Sequence, residues 1–423
     1  MAVRSDQKRY LKLTPIATAL DSLLTHVDPP DVGSALTTDS LGRFSAKDYV
    51  AKWDVPRFDV AAMDGYAVRA ADLPNEGSPR LFAVRGRISP RHTAVNPLGE
   101  GEAYYVATGS PLPPGADTVV RVEETRFVDS DKVSIEVNQR AGKNVSRRGE
   151  DLRKGDLIVG RGDRITPSAL SVLVYFGVRR VKVYRGPRVG VLSIGDELVD
   201  FEATERGGGV YNNYAYLIYS YLKHLGFEPK RFGVVADDPE AIARVVGRAL
   251  TKVDLLFTVG GTSVGLWDNT PNALSAIPGS HVVFHGLRAV PVKPTGAVCV
   301  EYGGRKKFVV MLPAHVVSAA ISFHIVGVPL LSVLSGGKPN ALSQRVVGSF
   351  NASVENSRNL DAFYLVKLHA EEDGLHVSPL GWGSNLMGNL LKADGFIRLG
   401  PKHTMEAGSK VVVNLLGGRV LSV

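Results

Sequence analysis

The chain has 423 residues, of which 44% are hydrophobic and 22% charged, with a formal net charge of +8 and one cysteine, Cys299. These values predict a globular protein of roughly two to four domains and exclude a disulfide framework and a cysteine-based metal site. A basic balance favours anionic ligands, but no RNA-binding or zinc-finger motif is present, so nucleic acid is not an expected partner. The polar N-terminus lacks the apolar core of a signal peptide, and we expect a cytoplasmic protein.

The first part of the chain predicts a helix followed by short strands. Thr14 and Pro15 form an N-cap and first-position pair, and apolar residues follow them at helical spacing. Residues 45–139 are rich in glycine and proline and predict short strands and turns. A second helix is predicted to begin near Pro167.

The central part, from about Gly186 to Gly336, alternates apolar strands with helices. This pattern predicts a parallel sheet covered on both faces, and such sheets bind ligands at the carboxyl ends of their strands. Three groups of candidate site residues fall at those ends: Asp196 with Glu197, Asp237 with Asp238, and the segment that begins at Gly260.

Two further segments decide the class of protein. Val316–Leu334 is apolar and long enough to span a membrane, but it contains His324 and Pro329, and no basic anchors flank its start. We therefore expect a buried core or interface helix and no membrane partner. Residues 341–423 alternate polar and apolar residues between turns, which predicts a small β-barrel or sandwich.

The segment FDVAAMDGYAVRA predicts a half-buried strand from Phe58 to Ala62 that ends in a turn at Asp64 and Gly65. An Asp-Gly pair alone is typical of a hairpin turn. Three other segments, however, repeat the pattern of apolar strand, glycine bend and carboxylate: ATGSPLPPGAD, LSIGDEL and TVGGTSVGLWD.

These four segments, together with AGKNVSRRGEDLRKGD and WGSNLMGNLLKADG, resemble the molybdopterin molybdenumtransferase family over nearly the whole chain. This family is related to the C-terminal domain of gephyrin and inserts molybdenum into the pterin cofactor. The resemblance implies an α/β plus β multidomain fold and a homodimer with its site between subunits. Its four domains would be a discontinuous α+β domain (1–47 and 140–184), an inserted β-rich domain (48–139), an α/β domain like molybdopterin adenylyltransferase (185–336) and a C-terminal β-barrel (337–423).

Several carboxylates are candidates for a cation site. Unpaired carboxylates gathered in one cleft repel each other, and Mg²⁺ prefers oxygen ligands and bridges them to phosphates. Each acid alone is also typical of a helix cap or a surface group, and Asp237-Asp238 before Pro239 equally predicts an N-cap. The resemblance implies catalytic roles for Asp64, Glu197, Asp268 and Asp151, and metal contacts for Asp64, Glu197, Asp237 and Asp238.

A glycine-rich segment offers backbone N–H groups to a phosphate or another oxyanion. Its candidate residues are Gly260, Gly261, Thr262, Ser263 and Gly265. The alternative is a tight strand-to-helix turn without a ligand. This loop is longer than the GGTG loop of molybdopterin adenylyltransferases. Thr108, beside Gly109, either donates to a phosphate or pterin oxygen or is an ordinary turn residue.

The predicted oxyanion pocket departs from the family. The family's Lys-Pro-Gly-Lys-Pro reads Lys293-Pro294-Thr295-Gly296-Ala297, so Gly296 replaces the second lysine. The family's Pro-Gly-Asn-Pro begins at Pro313 and has His315 in the asparagine position, where it either replaces an amide donor or is packed. Three residues match family positions associated with oxyanion contact: Ser263, Arg358 and Ser384.

The resemblance implies an enzyme that takes adenylylated molybdopterin and molybdate or tungstate, cleaves the phosphoanhydride with Mg²⁺ and releases AMP. Molybdopterin adenylyltransferase is a candidate partner. The alternative is a paralogue that binds or carries molybdopterin without transfer. The altered segments that begin at Lys293 and Pro313 favour this alternative, whereas the retained carboxylates argue against it. A nucleic-acid binder has only the net charge in its favour.

Overall fold

The computed structural model describes residues 13–75, 77–92, 96–202, 209–261 and 269–417. Contacts between residues divide the chain into two compact units. The first comprises Met1–Lys47, Arg161–Thr166 and Arg180–Val423, and the second comprises Asp48–Gly160 and Pro167–Arg179. The four domain boundaries implied by the resemblance are finer than this division and stay a prediction.

A six-stranded sheet forms the centre of the first unit. Across the sheet, its strands are Lys230–Val235, Val189–Ile194, Leu255–Val259, Arg305–Leu312, Gly296–Tyr302 and Ser280–His285. The first four strands are parallel, whereas the strand from Gly296 runs antiparallel to both neighbours. Every residue of the strands that begin at Val189 and Leu255 is buried, as expected for the centre of a sheet covered on both faces. The predicted α/β architecture is therefore confirmed.

Helices cover both faces of this sheet. Two of them begin at residues whose side chains accept a hydrogen bond from the first turn: Asn212 from the Ala215 N–H and Asp238 from the Ala241 N–H. The helices of the unit are Ile16–Leu24, Asn213–His224, Pro239–Leu250, Thr270–Ser275, Val316–Ser322, Val328–Leu334 and Met387–Lys392. Its smaller strand pairs are Val32–Leu36 with Arg180–Tyr184 and Leu198–Val199 with Val210–Tyr211.

One helix among the described residues, Val316–Leu334, is long and apolar enough to cross a membrane. Of its most apolar window, 83% is buried inside the protein, as in a core helix. Phe323, Leu330 and Leu331 are fully buried, and each such side chain contributes about 1.5–3 kcal/mol to folding. A π-helical turn, Phe323–Gly327, joins its two α-helical halves.

The C-terminal part of the first unit is a closed five-stranded barrel. Its strands, in order, are Asp361–Glu371, Gly374–Pro379, Arg345–Phe350, Lys410–Leu415 and Gly395–Leu399. The barrel closes because the first of these strands also pairs with the last. Ala289–Val290 extends it, and Val354–Asn356 pairs with His403–Met405 beside it. Of the two β-architectures expected, the structure is a barrel.

The second unit contains another six-stranded sheet, packed around Tyr66, Phe82 and Val120. Its strands are Thr118–Arg121, Gly65–Val68, Glu102–Val106, Arg80–Ile88, Lys132–Ile135 and Thr125–Asp129. Two short pairs and one helix complete it: Val60–Ala61 with Val145–Ser146, Tyr49–Val50 with Leu157–Val159, and Pro167–Tyr175. This is the β-rich segment expected from the sequence.

The strand predicted from Phe58 to Ala62 is wrong in its extent. Only Val60–Ala61 is a strand, and the Phe58 side chain is 54% exposed. Asp59 accounts for the difference, because its carboxylate accepts hydrogen bonds from the Arg147 guanidinium and the Arg148 N–H and holds the chain in a bend. The structure also places Gly65 in a strand, although the sequence predicted it in the turn after Asp64. It is the first residue of the strand Gly65–Val68, where a Cβ would lie 2.1 Å from the Val120 carbonyl oxygen.

Candidate functional site

Asp64 is held by Thr108 in the second unit. The Thr108 N–H and hydroxyl both donate to Asp64 Oδ1, each at 2.7 Å. These two hydrogen bonds hold the pKa of the Asp64 carboxyl below its usual value. Asp64 is therefore an exposed carboxylate with a fixed orientation, and Thr108 directs its hydroxyl to this acid.

The loops around Asp64 are tied together by backbone hydrogen bonds. The Gly109 N–H donates to the Ala61 carbonyl at 2.8 Å, and the Ala62 N–H donates to the Asn144 carbonyl at 2.9 Å. Asp151 lies in the segment that continues from Asn144, exposed, with its N–H bonded to Val55. Sequence reasoning missed Asp59 as the acid that positions Arg147, because the two residues are 88 positions apart.

Glu197 is an exposed carboxylate just beyond the central strand Val189–Ile194 of the first unit. Its side chain folds back over Gly195, where an added Cβ would lie 2.8 Å from Glu197 Oε2. Burial and the negative charge of Glu197 raise the pKa of the Tyr214 phenol. Tyr214 was not predicted as a site residue, since it lies on the following helix and no motif marks it.

The adjacent strand Leu255–Val259 ends in the predicted double glycine. A Cβ on Gly260 would lie 2.1 Å from the Ile194 carbonyl oxygen, so only glycine fits beside the neighbouring strand. Gly261 has φ +61°, and a Cβ there would lie 2.3 Å from Thr270 Oγ1 and 3.2 Å from Asp237 Oδ1. The chain is therefore free of side chains where it leaves the sheet. Four predicted residues lie outside the described residues: Thr262, Ser263, Gly265 and Asp268.

The next strand end carries Asp237 and Asp238, which have separate roles. Asp238 Oδ1 accepts from the Ala241 N–H at 2.7 Å and caps the helix, as the alternative interpretation expected. The Asp237 N–H donates to Asp196 Oδ1 at 3.1 Å, and its carbonyl accepts from Asn269 Nδ2 at 2.8 Å. Metal contacts by these two acids stay a prediction.

Lys293 is exposed on a tight loop that leads into the strand Gly296–Tyr302. Thr295 fixes this loop, because its hydroxyl lies 2.7 Å from Ser322 Oγ and donates to the Val292 carbonyl at 2.8 Å. Gly296 is buried, and a Cβ there would lie 2.4 Å from Met311 Cε and 3.1 Å from the Phe284 carbonyl oxygen. A side chain at the position of the missing lysine would therefore require Met311 to move and would crowd the Phe284 carbonyl.

Pro313 and His315 connect the strand Arg305–Leu312 to the long apolar helix. Leu312, just before them, accepts from the Gly260 N–H at 3.1 Å, which places this loop beside the double glycine. His315 is exposed at the N-cap, so the alternative that it is packed does not apply. The Ser384 carbonyl accepts from the Val317 N–H at 3.2 Å and brings the Ser384 loop to the same helix end.

Arg358 extends from the barrel and stacks on an aromatic ring. Its guanidinium carbon lies 4.5 Å from the centre of the Trp382 ring, two residues before Ser384. Stacking on the ring orients the guanidinium of this exposed residue. Trp382 lies in the motif WGSNLMGNLLKADG, but its stacking partner Arg358 lies in another strand connection, so no local pattern indicates its role.

The candidate residues of the first unit thus converge. Glu197, Gly260, Gly261, the Pro313–His315 loop and Ser384 are linked by strand pairing and backbone hydrogen bonds at one edge of the sheet. Asp64, Thr108 and Asp151 belong to the second unit. The expectation that Asp64 and Glu197 share one cleft stays a prediction.

In each unit taken by itself, the candidate metal ligand is a hard oxygen donor, which suits Mg²⁺ rather than a softer metal. Within the described ranges, no lysine or arginine forms a salt bridge with Asp64 or Glu197, and Asp64 uses one oxygen for both of its bonds. The other Asp64 oxygen and the Glu197 carboxylate are hard, exposed oxygen donors.

Comparison with known proteins agrees with the resemblance. Residues 14–177 match the family described as MoeA N-terminal region (domain I and II), and residues 190–333 match the probable molybdopterin binding domain. The molybdopterin molybdenumtransferase of Bacillus subtilis is 30% identical over 386 residues, covering 89% of this chain and 88% of that protein. That of Haemophilus influenzae is 29% identical over 385 residues, covering 89% of this chain and 91% of that protein.

A solved structure supports the same conclusion. The molybdopterin biosynthesis MoeA protein of Pyrococcus horikoshii superposes with a TM-score of 0.75 at 30% identity, covering 96% of this chain and 100% of that one. Sequence and fold therefore agree over almost the whole length. The chain belongs to the molybdopterin molybdenumtransferase family.

Proposed function

We propose that this enzyme takes adenylylated molybdopterin and a tetrahedral oxyanion, molybdate or tungstate, cleaves the phosphoanhydride with Mg²⁺ and releases AMP in molybdenum cofactor biosynthesis. The observation that carries the proposal is the sheet edge at which Gly260 and Gly261 lie beside the exposed Glu197 carboxylate and the Pro313–His315 loop. Ligands of open α/β sheets bind at this edge.

The residues of the chain supply position and charge. The double glycine lets a phosphate approach the backbone, because no Cβ intervenes. Glu197 and Asp64 would hold Mg²⁺, which when bound neutralises phosphate charge during cleavage. Exposed Lys293 and Arg358 supply the cations that a dianionic oxyanion requires, and the Trp382 ring orients Arg358.

AMP release tests the proposal directly. Purified protein is incubated with adenylylated molybdopterin, Mg²⁺ and either molybdate or tungstate, and AMP is measured. Glu197→Gln keeps the shape and removes the charge, so AMP release at limiting Mg²⁺ should fall about tenfold or more, as expected for a lost contact of about 1.5–3 kcal/mol. Glu240→Gln is the matched control, since Glu240 is an exposed glutamate in the first turn of the helix Pro239–Leu250. Equal rates in wild type and Glu197→Gln would refute the role of Glu197.

The packing at Gly296 favours a second candidate function. Because the crowded Gly296 replaces the second family lysine, the oxyanion pocket has one cation fewer, and in this second function the chain binds or carries molybdopterin without efficient transfer. Calorimetric titration with molybdate separates the two candidates. Binding at micromolar to millimolar anion supports transfer, whereas molybdopterin binding without anion binding or AMP release supports the carrier.

We further propose a cytoplasmic homodimer that receives its substrate from a molybdopterin adenylyltransferase. The resemblance to the family supports the dimer, whereas the helix Val316–Leu334 leaves little apolar surface for it, since 83% of its most apolar window is buried inside the protein. Sedimentation should give twice the chain mass of 45.4 kDa. A single species of monomer mass at micromolar concentration would contradict the dimer.

A further inference from the structure

A cavity of 440 Å³ lies within the first unit, away from the residues assigned to transfer. Its walls come from the helices Ile16–Leu24 and Asn213–His224, the π-helical turn Phe323–Gly327 and the C-terminal barrel. This volume is typical of small-molecule sites, which often lie between structural layers. None of Glu197, Lys293 and His315 lines it.

Aromatic rings form one wall of the cavity. Tyr221 stacks on Phe323 with ring centres 5.6 Å apart and planes 12° from parallel. His324 meets Tyr221 edge-on at 4.8 Å, and Phe363 meets Phe396 at 5.7 Å. Phe323 and Phe396 are buried behind this wall, and the partly exposed rings of Tyr221 and His324 supply its surface for a planar ring.

The charged residues that line the cavity are all basic. Arg164, Arg345 and Arg398 line it, and no aspartate or glutamate does among the described residues. Arg398 is paired with Asp361 at 2.9 Å. Arg345 instead donates to the neutral side-chain oxygens of Asn414 and Asn340, and its positive charge is therefore not neutralised by a carboxylate. Arg164 donates to a backbone carbonyl, that of Gly42.

The π-helical turn is a second, independent indication of a site. It interrupts an otherwise α-helical segment, and three of its residues, Phe323, His324 and Ile325, line the cavity. Single π-helical turns cost regular hydrogen bonding and occur frequently at functional sites.

We propose that this cavity binds a small planar aromatic anion, with its ring against Tyr221 and His324 and its acidic group at Arg345 and Arg164. The aromatic wall selects the ring and the uncompensated guanidinium groups select the charge. The cavity is a ligand site separate from the transfer site and does not depend on the proposed function.

The test uses three probes that separate ring from charge. Naphthalene-2-sulfonate carries both, naphthalene-2-sulfonamide keeps the ring without the charge, and inorganic sulfate keeps the charge without the ring. Calorimetry on the full chain should show saturable one-to-one binding of the sulfonate, with binding of the other two probes at least about tenfold weaker. Equal affinity for sulfonate and sulfonamide, or no saturable binding, would overturn the proposal.

Two variants locate the binding site. Arg345→Gln should weaken sulfonate binding about tenfold, whereas Arg248→Gln, which changes an exposed arginine of the helix Pro239–Leu250 outside the cavity, should not change it. Leu20→Trp fills the cavity from the N-terminal helix and should abolish binding, with circular dichroism confirming that the variant is folded. Unchanged sulfonate affinity in Arg345→Gln would place the anion elsewhere and refute the assignment.

Discussion

Thr108 donates both its N–H and its hydroxyl to the same oxygen of Asp64, each at 2.7 Å. The residues are 44 positions apart, and the pairing of the strands Gly65–Val68 and Glu102–Val106 brings them together. This contact gives an exposed acid a single orientation and leaves its second oxygen available.

The first prediction concerns the acidity of Asp64. The two hydrogen bonds from Thr108 lower the pKa of Asp64 and so stabilise its ionised form in the folded protein. This stabilisation is fully present above the usual pKa of an aspartate and is lost as the pH falls through the lowered pKa. Thr108→Val removes the hydroxyl bond and should raise the pKa, shifting the acidic limb of the AMP-release profile to higher pH. Carboxyl ¹³C shifts of Asp64 measure the pKa directly. Thr108→Ser keeps both donors and should match wild type; an identical titration in Thr108→Val would contradict the prediction.

The second prediction concerns Gly261, which has φ +61° and no room for a Cβ beside Thr270 Oγ1. Gly261→Ala should lower the free energy of unfolding by about 1–3 kcal/mol, measured by urea denaturation. The double variant with Thr270→Ala should recover part of this loss, since it removes the clash and leaves the backbone strain. Gly247→Ala, in a helix with no atom near its Cβ position, should stabilise by up to about 1 kcal/mol. No loss in Gly261→Ala would show that the loop rearranges.

The third prediction concerns Gly296. Restoring the family lysine in Gly296→Lys should destabilise the protein rather than strengthen anion binding, because Met311 and the Phe284 carbonyl occupy the space. We expect a loss of about 1–3 kcal/mol by thermal or urea unfolding. The residue after Gly296, Ala297, is also buried, so the exposed cation of this loop is Lys293. Tighter molybdate binding by a stable Gly296→Lys variant would show that the pocket accommodates the second lysine.

The fourth prediction concerns the pH dependence of stability. The pKa of His324 is lowered to about 4, mainly by burial. Hydrogen bonds to the backbone of Ala320 and Leu416 partly raise this pKa, and the nearby His224 lowers it further. Because the unfolded chain binds a proton near pH 6.5 and the folded chain does not, stability falls as pH drops from about 6.5 to 4. The full effect of such a shift is about 3 kcal/mol.

His324→Phe removes this titration while keeping an aromatic ring against Tyr221. The difference in unfolding free energy between wild type and variant should therefore change between pH 7 and pH 4. Parallel stability curves for wild type and His324→Phe would contradict the prediction.

The sequence alone determined the architecture and much of the local structure. Apolar runs separated by helices predicted the α/β sheet, and Asp238 before Pro239 predicted the helix cap, because periodicity and capping depend on residues near in the chain. The four Gly-flanked motifs indicated the family for the same reason, since each is a short, continuous pattern.

Only the tertiary structure decided which residues meet. Nothing near Asp64 in the chain indicates that Thr108 binds it, nothing near Arg358 indicates the Trp382 ring, and nothing near Gly296 indicates that Met311 fills its space. The length of the strand near Phe58 was overestimated because a bend imposed by Arg147, far along the chain, outweighed local alternation. Hydrogen bonds and packing between distant segments depend on how the strands pair, and a single sequence read by local patterns does not contain that pairing.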